Sequence, residues 1–302
     1  MNPIHFNQSP KQEFKTQNRS IFSFEKPNEN IDESVVNSFG EEWKKFHNFS
    51  DTELEKLGRG YFDILNENIV NKNTYGIDIG CGTGRFTKYL ANKIGFIEAV
   101  DPSEAIFTAD KVLEGIDNVR LSMASTDNLP FDDETFDFGM SIGVLHHIPN
   151  TQKAMNDCVK KIKKGGYFYV YLYYNLDNKG FIFRFLLALV TVIRFITSRL
   201  PMFIKKIVCD IIAITIYMPL VLVGRFFKLI HLKSLAAKLP LNSYQNSSFY
   251  IIRNDALDRF GTKLEQRFSR KEIEAMMKTA GLSNIVISNG LPYWHAIGKR
   301  EN

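Results

Sequence analysis

The residues best placed to do chemistry lie in two short stretches. GIDIGCGTGRF puts Gly80, Gly82 and Gly84 directly after an apolar run, with Asp78 two residues ahead of the first glycine. Residues without side chains let the backbone turn tightly and approach a ligand at a helix N-terminus. The spacing is GxGxG, not the GxGxxG of dinucleotide binders. A carboxylate beside the turn opposes a pyrophosphate and favours a ligand carrying an ammonium group, which argues against a nicotinamide-dependent dehydrogenase. The bland alternative is a packing turn of an ordinary α/β sheet. Farther on, GVLHH places His146 and His147 just after Gly143. An imidazole titrates near neutrality and suits removal of a proton from an acceptor hydroxyl. The structural alternative is that one histidine caps the next helix and the other packs.

The surrounding pattern predicts what holds these residues. NTYGIDIG, FIEAVD, NVRLSMAS, FDFGMSIGV and YFYVYLYY read as strands. Helical stretches separate them, among them PSEAIFTADKVL with Pro102 in its first turn and TQKAMNDCVKKI, which a KKGG turn follows. Such alternation implies right-handed βαβ crossovers and a parallel sheet with helices on both faces. Residues 1–32 read as a disordered tail, and 33–72 as N-terminal helices capping the core, which occupies 73–174. Residues 175–266 form an insertion, and 267–302 complete the core with a helix capped by Ser269 and stopped by Gly281, then two strands.

The stretch from Tyr75 to about Tyr174 resembles a class I S-adenosylmethionine-dependent methyltransferase. The matching pieces are GIDIGCGTGRF, EAVDPSEAI, the LPF of ASTDNLPFDDETFDFGMS, IGVLHHIPN and KKGGYFYVYL; the ending EIEAMMKTAGLSNIVISNGLPYWHAIGKR resembles the family's last helix and hairpin. The resemblance covers about half of the chain. It implies an α/β, Rossmann-like, seven-stranded and mostly parallel sheet whose final strand is antiparallel, here with an α-helical insertion after strand five. It also implies S-adenosylmethionine as methyl donor and roles residue by residue. Asp78 would stand near the methionine moiety, with the Gly80–Cys81–Gly82–Gly84 turn facing the cofactor. Asp101, beside Pro102, would bind the ribose hydroxyls, and two acceptor oxygens suit a vicinal diol. Ser125 stands where the family often has an Asp for the adenine amino group, so Thr126 and Asp127 are counted with it. Gly143 would pass the methionine end. Tyr171, Tyr173, Tyr174, Trp43 and Phe46 could line an acceptor pocket or face the sulfonium, or pack in the core.

The 302 residues are 44% apolar and 24% charged, with a net charge of +5, which excludes disordered, collagen-like and disulfide-scaffold classes. Cys81, Cys158 and Cys209 form no CxxC pair, and the six histidines show no metal spacing, so a reducing compartment without metal is expected. The first residues lack an apolar signal region, and a cytoplasmic location follows as the expectation. From 181 to 238, nine basic residues face one acid, Asp210, so the segment is +8 and the remainder −3; 39 of its 58 residues are apolar. The basic charge is confined to this insertion, and nucleic acid is not an expected partner. The segment reads as two helices joined around Pro201. Its longest uncharged run, Ile211–Gly224, is too short to cross a bilayer. Contact with an anionic membrane surface, a homodimer interface and a lid over a lipid-like acceptor are the readings. Tyr244, Gln245, Asn246, Arg253 and Asp255 are candidate acceptor contacts or a surface loop. The expected function is methyl transfer to a small or lipid-linked acceptor at a membrane surface. The alternative is a non-catalytic membrane-associated scaffold or cofactor-binding protein.

Overall fold

The computed structural model describes residues 1–25, 29–43, 51–178 and 180–301. In chain order its elements are β1 (Gln12–Lys15), β2 (Ser20–Ser23), α1 (Glu33–Trp43), α2 (Asp51–Tyr61), β3 (Tyr75–Ile79), α3 (Arg85–Ala91), β4 (Phe96–Val100), α4 (Ala105–Val112), β5 (Val119–Met123), β6 (Phe136–Ile142), α5 (Thr151–Lys160) and β7 (Ile162–Tyr171). Then come α6 (Phe181–Thr197), α7 (Met202–Ile212), α8 (Met218–Leu229), α9 (Lys233–Lys238), α10 (Phe249–Gly261), α11 (Arg270–Thr279), β8 (Leu282–Ile287) and β9 (His295–Arg300). The chain divides into two compact units, 1–178 with 264–302, and 179–263. The insertion therefore begins four residues later and ends three earlier than the composition shift at 175 and 266 suggested.

The first unit is built on a nine-stranded sheet of order β1-β2-β5-β4-β3-β6-β7-β9-β8. β2, β5, β4, β3, β6 and β7 run parallel, and β9 lies antiparallel between β7 and β8. β3 and β4 are buried at every position, as parallel strands covered on both faces must be. Seven strands match the expectation; two do not. The predicted tail supplies β1 and β2, because Ile21 and Phe24 are buried against the core and β2 pairs with β5 from Ile21↔Leu121 to Ser23↔Met123. The KKGG stretch is likewise part of β7, where a bulge lets Ile162 oppose Phe136 and Tyr167 oppose Phe138.

One charge is buried within this sheet. Glu98 on β4 has no exposed side-chain surface; Arg120 of β5 donates to both its oxygens at 2.9 and 2.8 Å, and the Tyr75 hydroxyl donates at 2.5 Å. Burial raises the Glu98 carboxyl and the Tyr75 hydroxyl above their ordinary ranges. At the far end, Ser269 caps α11 in a reciprocal box with Glu272, and Gly281 ends the helix at φ 87°. Ser269→Ala is expected to lower stability by about 1 kcal/mol in urea unfolding, since it removes a satisfied cap.

The second unit has its own core of Cys209, Ile212, Ala213, Tyr217, Val221, Ile252, Ala256 and Phe260. α7, a π-helical turn (Ala213–Tyr217) and α8 run on as one helix, so Phe203–Leu229 is 27 residues long. Among the described residues it is the one helix long and apolar enough to cross a membrane. The sequence reading has two helices joined around Pro201, the second from IIAITIY onward; the structure starts that helix before Asp210. Asp210 is paired by both oxygens with Arg253 of α10, and the wide π turn accommodates Pro219, whose missing N–H would otherwise break an α-helical ladder.

Candidate cofactor and acceptor site

Strand order reverses between β3 and β6: the chain moves outward through β4 and β5, then returns to the other side of β3. Ligands of open α/β sheets lie at such a switch point, beyond the carboxyl ends of the strands. Gly80 follows β3 and Gly143 follows β6, so both glycine corners flank this crevice. The glycines divide by role. A Cβ on Gly80 would meet Val144 at 2.4 Å and one on Gly84 would meet Leu113 at 2.9 Å, so these two permit packing. A Cβ on Gly82 or Gly143 would meet nothing within 4 Å, and both residues have positive φ, 54° and 76°. No atom crowds the backbone at Gly82 or at Gly143, one glycine on each side of the switch point.

Asp101 follows β4 directly and ties the turn to the sheet. Its Oδ2 accepts from the Gly82 N–H at 2.9 Å, while Oδ1 accepts from the Ser103 N–H at 2.8 Å and the Ser103 hydroxyl at 2.6 Å. Pro102 lies ahead of α4, not in its first turn, because Ser103 and Glu104 form the turn that the Asp101 carboxylate stabilises. Asp78, on β3, accepts from Thr87 Oγ1 at 2.6 Å. Burial, with the Asp101 charge adding to it, pushes the Asp78 carboxyl up to about 7, against the opposing effects of the Thr87 hydrogen bond and Arg85. Burial and the same two acids raise the Cys81 thiol, which keeps it protonated and unreactive.

The Ser125 position works differently from the sequence reading. Its hydroxyl donates to Asp127, whose other oxygen accepts from the Asn30 N–H at 3.3 Å. Ser125 and Thr126 are buried, and Asp127 with Thr126 also borders a polar cavity of about 420 Å³. α1 covers the same edge: Gly40 is close enough to the Ser103–Glu104 turn that a Cβ would lie 3.3 Å from the Glu104 nitrogen, and the Phe39 ring meets His147 edge-on at 4.8 Å. Neither Phe39 nor Gly40 stood out in the sequence, since only the fold brings α1 across the crevice. The Trp43 side chain and Phe46 lie outside the described residues.

His146 and His147 sit in a 3-10 turn, Leu145–His147. His146 is fully buried and stacks on Tyr173 at 4.0 Å. His147 places Nδ1 2.7 Å from the Leu264 carbonyl, which only accepts, so Nδ1 carries a proton and Nε2 holds the lone pair of the neutral ring. Tyr171 and Tyr174 pack against neighbouring rings. A third histidine, His295, was missed. His295 is buried beside Tyr61 and Tyr169 with Nε2 2.5 Å from Asp63, and Asp63 also receives the Ser288 hydroxyl at 2.7 Å. These partners are hundreds of residues apart and left no local signal. In the second unit, Tyr244 and Arg259 bind Asp255, Arg253 binds Asp210, Gln245 donates to the Ala236 carbonyl, and Asn246 accepts from Lys228. These candidate acceptor contacts are therefore engaged within that unit.

Residues 77–170 match the family model of a methyltransferase domain. Sterol 4-C-methyltransferase strm-1 of Caenorhabditis elegans is 34% identical over 119 residues, covering 36% of this chain and 36% of that protein. Demethylmenaquinone methyltransferase of Staphylococcus epidermidis is 26% identical over 138 residues, 44% of this chain and 56% of that protein. The chain thus matches about a third to a half of the length of these curated relatives. A solved S-adenosylmethionine-dependent methyltransferase from Aquifex aeolicus aligns over 83% of this chain and 98% of its own at 13% identity and a TM-score of 0.42, a likeness too loose to add to the family match. Sheet, crevice and match define a class of methyl-transferring domain. Residues 77–170 carry the match to a methyltransferase domain, and the matched segment runs from β3 through most of β7.

Proposed function

We propose that this protein transfers a methyl group from S-adenosylmethionine to a small or lipid-like acceptor at a membrane surface. The observation that carries the reading is the open space beside Gly82 and Gly143, between two buried acids, Asp78 and Asp101. The donor supplies an already activated methyl on a sulfonium, so alignment is the protein's main contribution. Asp101 holds the sugar hydroxyls, Asp78 balances the cationic amino-acid end, and Ser125, Thr126 and Asp127 border the adenine. Cys81 and Pro102 shape the flanks. His147, with its lone pair fixed on Nε2, is the better base of the two histidines, while the buried His146 supports it through the Tyr173 stack. The relatives' names specify a sterol and demethylmenaquinone as their acceptors, which favours an apolar acceptor here. A cytoplasmic chain resting on the inner face of a membrane is part of the same proposal.

Incubation with methyl-labelled donor and a lipid extract tests it: label should pass to the organic phase. Donor binding in calorimetry without any transfer would leave the cofactor-binding scaffold instead.

Asp78 sets a pH dependence. Burial holds its carboxyl up to about 7, and the charged form is the one that attracts a cation. Affinity for the donor is expected to fall about tenfold between pH 8 and pH 6 by linkage, and Asp78→Asn should flatten that slope in calorimetric titrations. Stability of the free protein runs the other way. Charging a buried carboxyl opposes folding, so this group's contribution declines as pH rises from about 4 to about 7.

A further inference from the structure

We infer that the second unit lies in the plane of an anionic lipid surface, with one face of α6 and of the 203–229 helix as the inserting face; this rests on the membrane-surface reading above. The exposed apolar residues are not scattered. On the long helix Phe203, Ile207, Ile211, Ile214, Leu222, Phe226 and Leu229 recur at helical spacing, Ile204, Ile216 and Val223 are exposed as well, and Phe203 and Leu229 are 75% and 77% exposed. The opposite face, through Cys209, Ala213, Tyr217 and Val221, is packed in the unit's own core. α6 repeats the pattern with Phe181, Phe185, Leu189, Val192 and Phe195. An unpartnered surface of this extent is not tolerated in water without an occupant.

Charge decides the occupant. Arg184 and Lys206 each fall three residues from an exposed apolar residue (Phe181 and Phe203), where their stems can follow the apolar face and their heads reach phosphate. α6 to α9 contain one acid, Asp210, and Arg253 already neutralises it. A second copy of this face would meet it with like charge, whereas anionic headgroups complement it. The helix is long enough to cross a bilayer, but Asp210 within it is held by Arg253 of α10 and its other face packs in the unit's own core, so a crossing would carry that ion pair into hydrocarbon.

The full chain should be sedimented with phosphatidylglycerol–phosphatidylcholine vesicles and with phosphatidylcholine vesicles alone. Partitioning onto the anionic vesicles is expected to be at least tenfold stronger. Arg184→Gln and Lys206→Gln should each weaken it about fivefold, and Phe203→Asp or Phe226→Asp tenfold or more, with alkaline carbonate releasing the protein. Val286→Asp, at an exposed apolar position of the first unit, should change nothing, and unchanged melting of each variant shows that folding is intact. Equal binding to neutral vesicles, indifference to the four substitutions, or retention after carbonate would overturn the inference. So would a lipid-free dimer that Phe203→Asp dissociates. The Asp101→Ala variant run in parallel separates the two readings, because vesicle binding should survive there even if donor binding never occurs.

Discussion

Asp101→Ala is expected to weaken S-adenosylmethionine binding by about 10²–10⁴-fold, since two hydrogen bonds from sugar hydroxyls to one carboxylate contribute about 1.5–3 kcal/mol each. The same carboxylate holds the Gly82 N–H and both donors of Ser103, so alanine also loosens the turn. Asp101→Asn separates the effects. It retains one acceptor oxygen, and melting should show most of the fold's stability kept, while calorimetry still shows at least a tenfold loss of affinity. Unaltered affinity in both variants would remove Asp101 from the site.

Arg120→Ala is expected to lower stability by about 3–5 kcal/mol, the cost of leaving a buried carboxylate without its partner. Glu98 has no exposed side-chain surface and receives two hydrogen bonds from Arg120. The guanidinium also stands 3.9 Å over the Phe6 ring, so its loss reaches the N-terminal segment. The double variant Arg120→Met with Glu98→Leu should recover much of the loss in denaturant unfolding, because the charge that needed a partner is gone. A deficit as large in the double variant would place the cost in packing.

The central fold was legible because its signals are local. Glycine corners, the capping Ser269 and the strand–helix alternation each occupy a few consecutive residues, and the structure places them where the pattern implied. The N-terminal strands were not legible, since QEFK and SIFS are four residues each and the hairpin they form joins the sheet only where SIFS pairs with a strand about a hundred positions away. Within the site, residue types identified Asp78 and Asp101, but not the division of labour among the glycines, which depends on Val144 and Leu113. Ser125 looked like a weakened acceptor; only the geometry shows its proton given to Asp127. Tyr244, Arg253 and Asp255 suggested acceptor contacts because sequence after strand five lies above the active-site edge in the family the chain resembles; in the structure each is paired within its own unit.

The parallel pairing of β2 with β5 also bears on how the protein is made. Ile21 emerges from the ribosome a hundred residues before its partner Leu121. The opening segment must wait, apolar and unpaired, until the edge it completes exists, and such exposed strands invite association with other nascent chains. Shielding by a chaperone during that interval should therefore matter more for yield of this protein than for a variant whose first 24 residues have been moved behind β5.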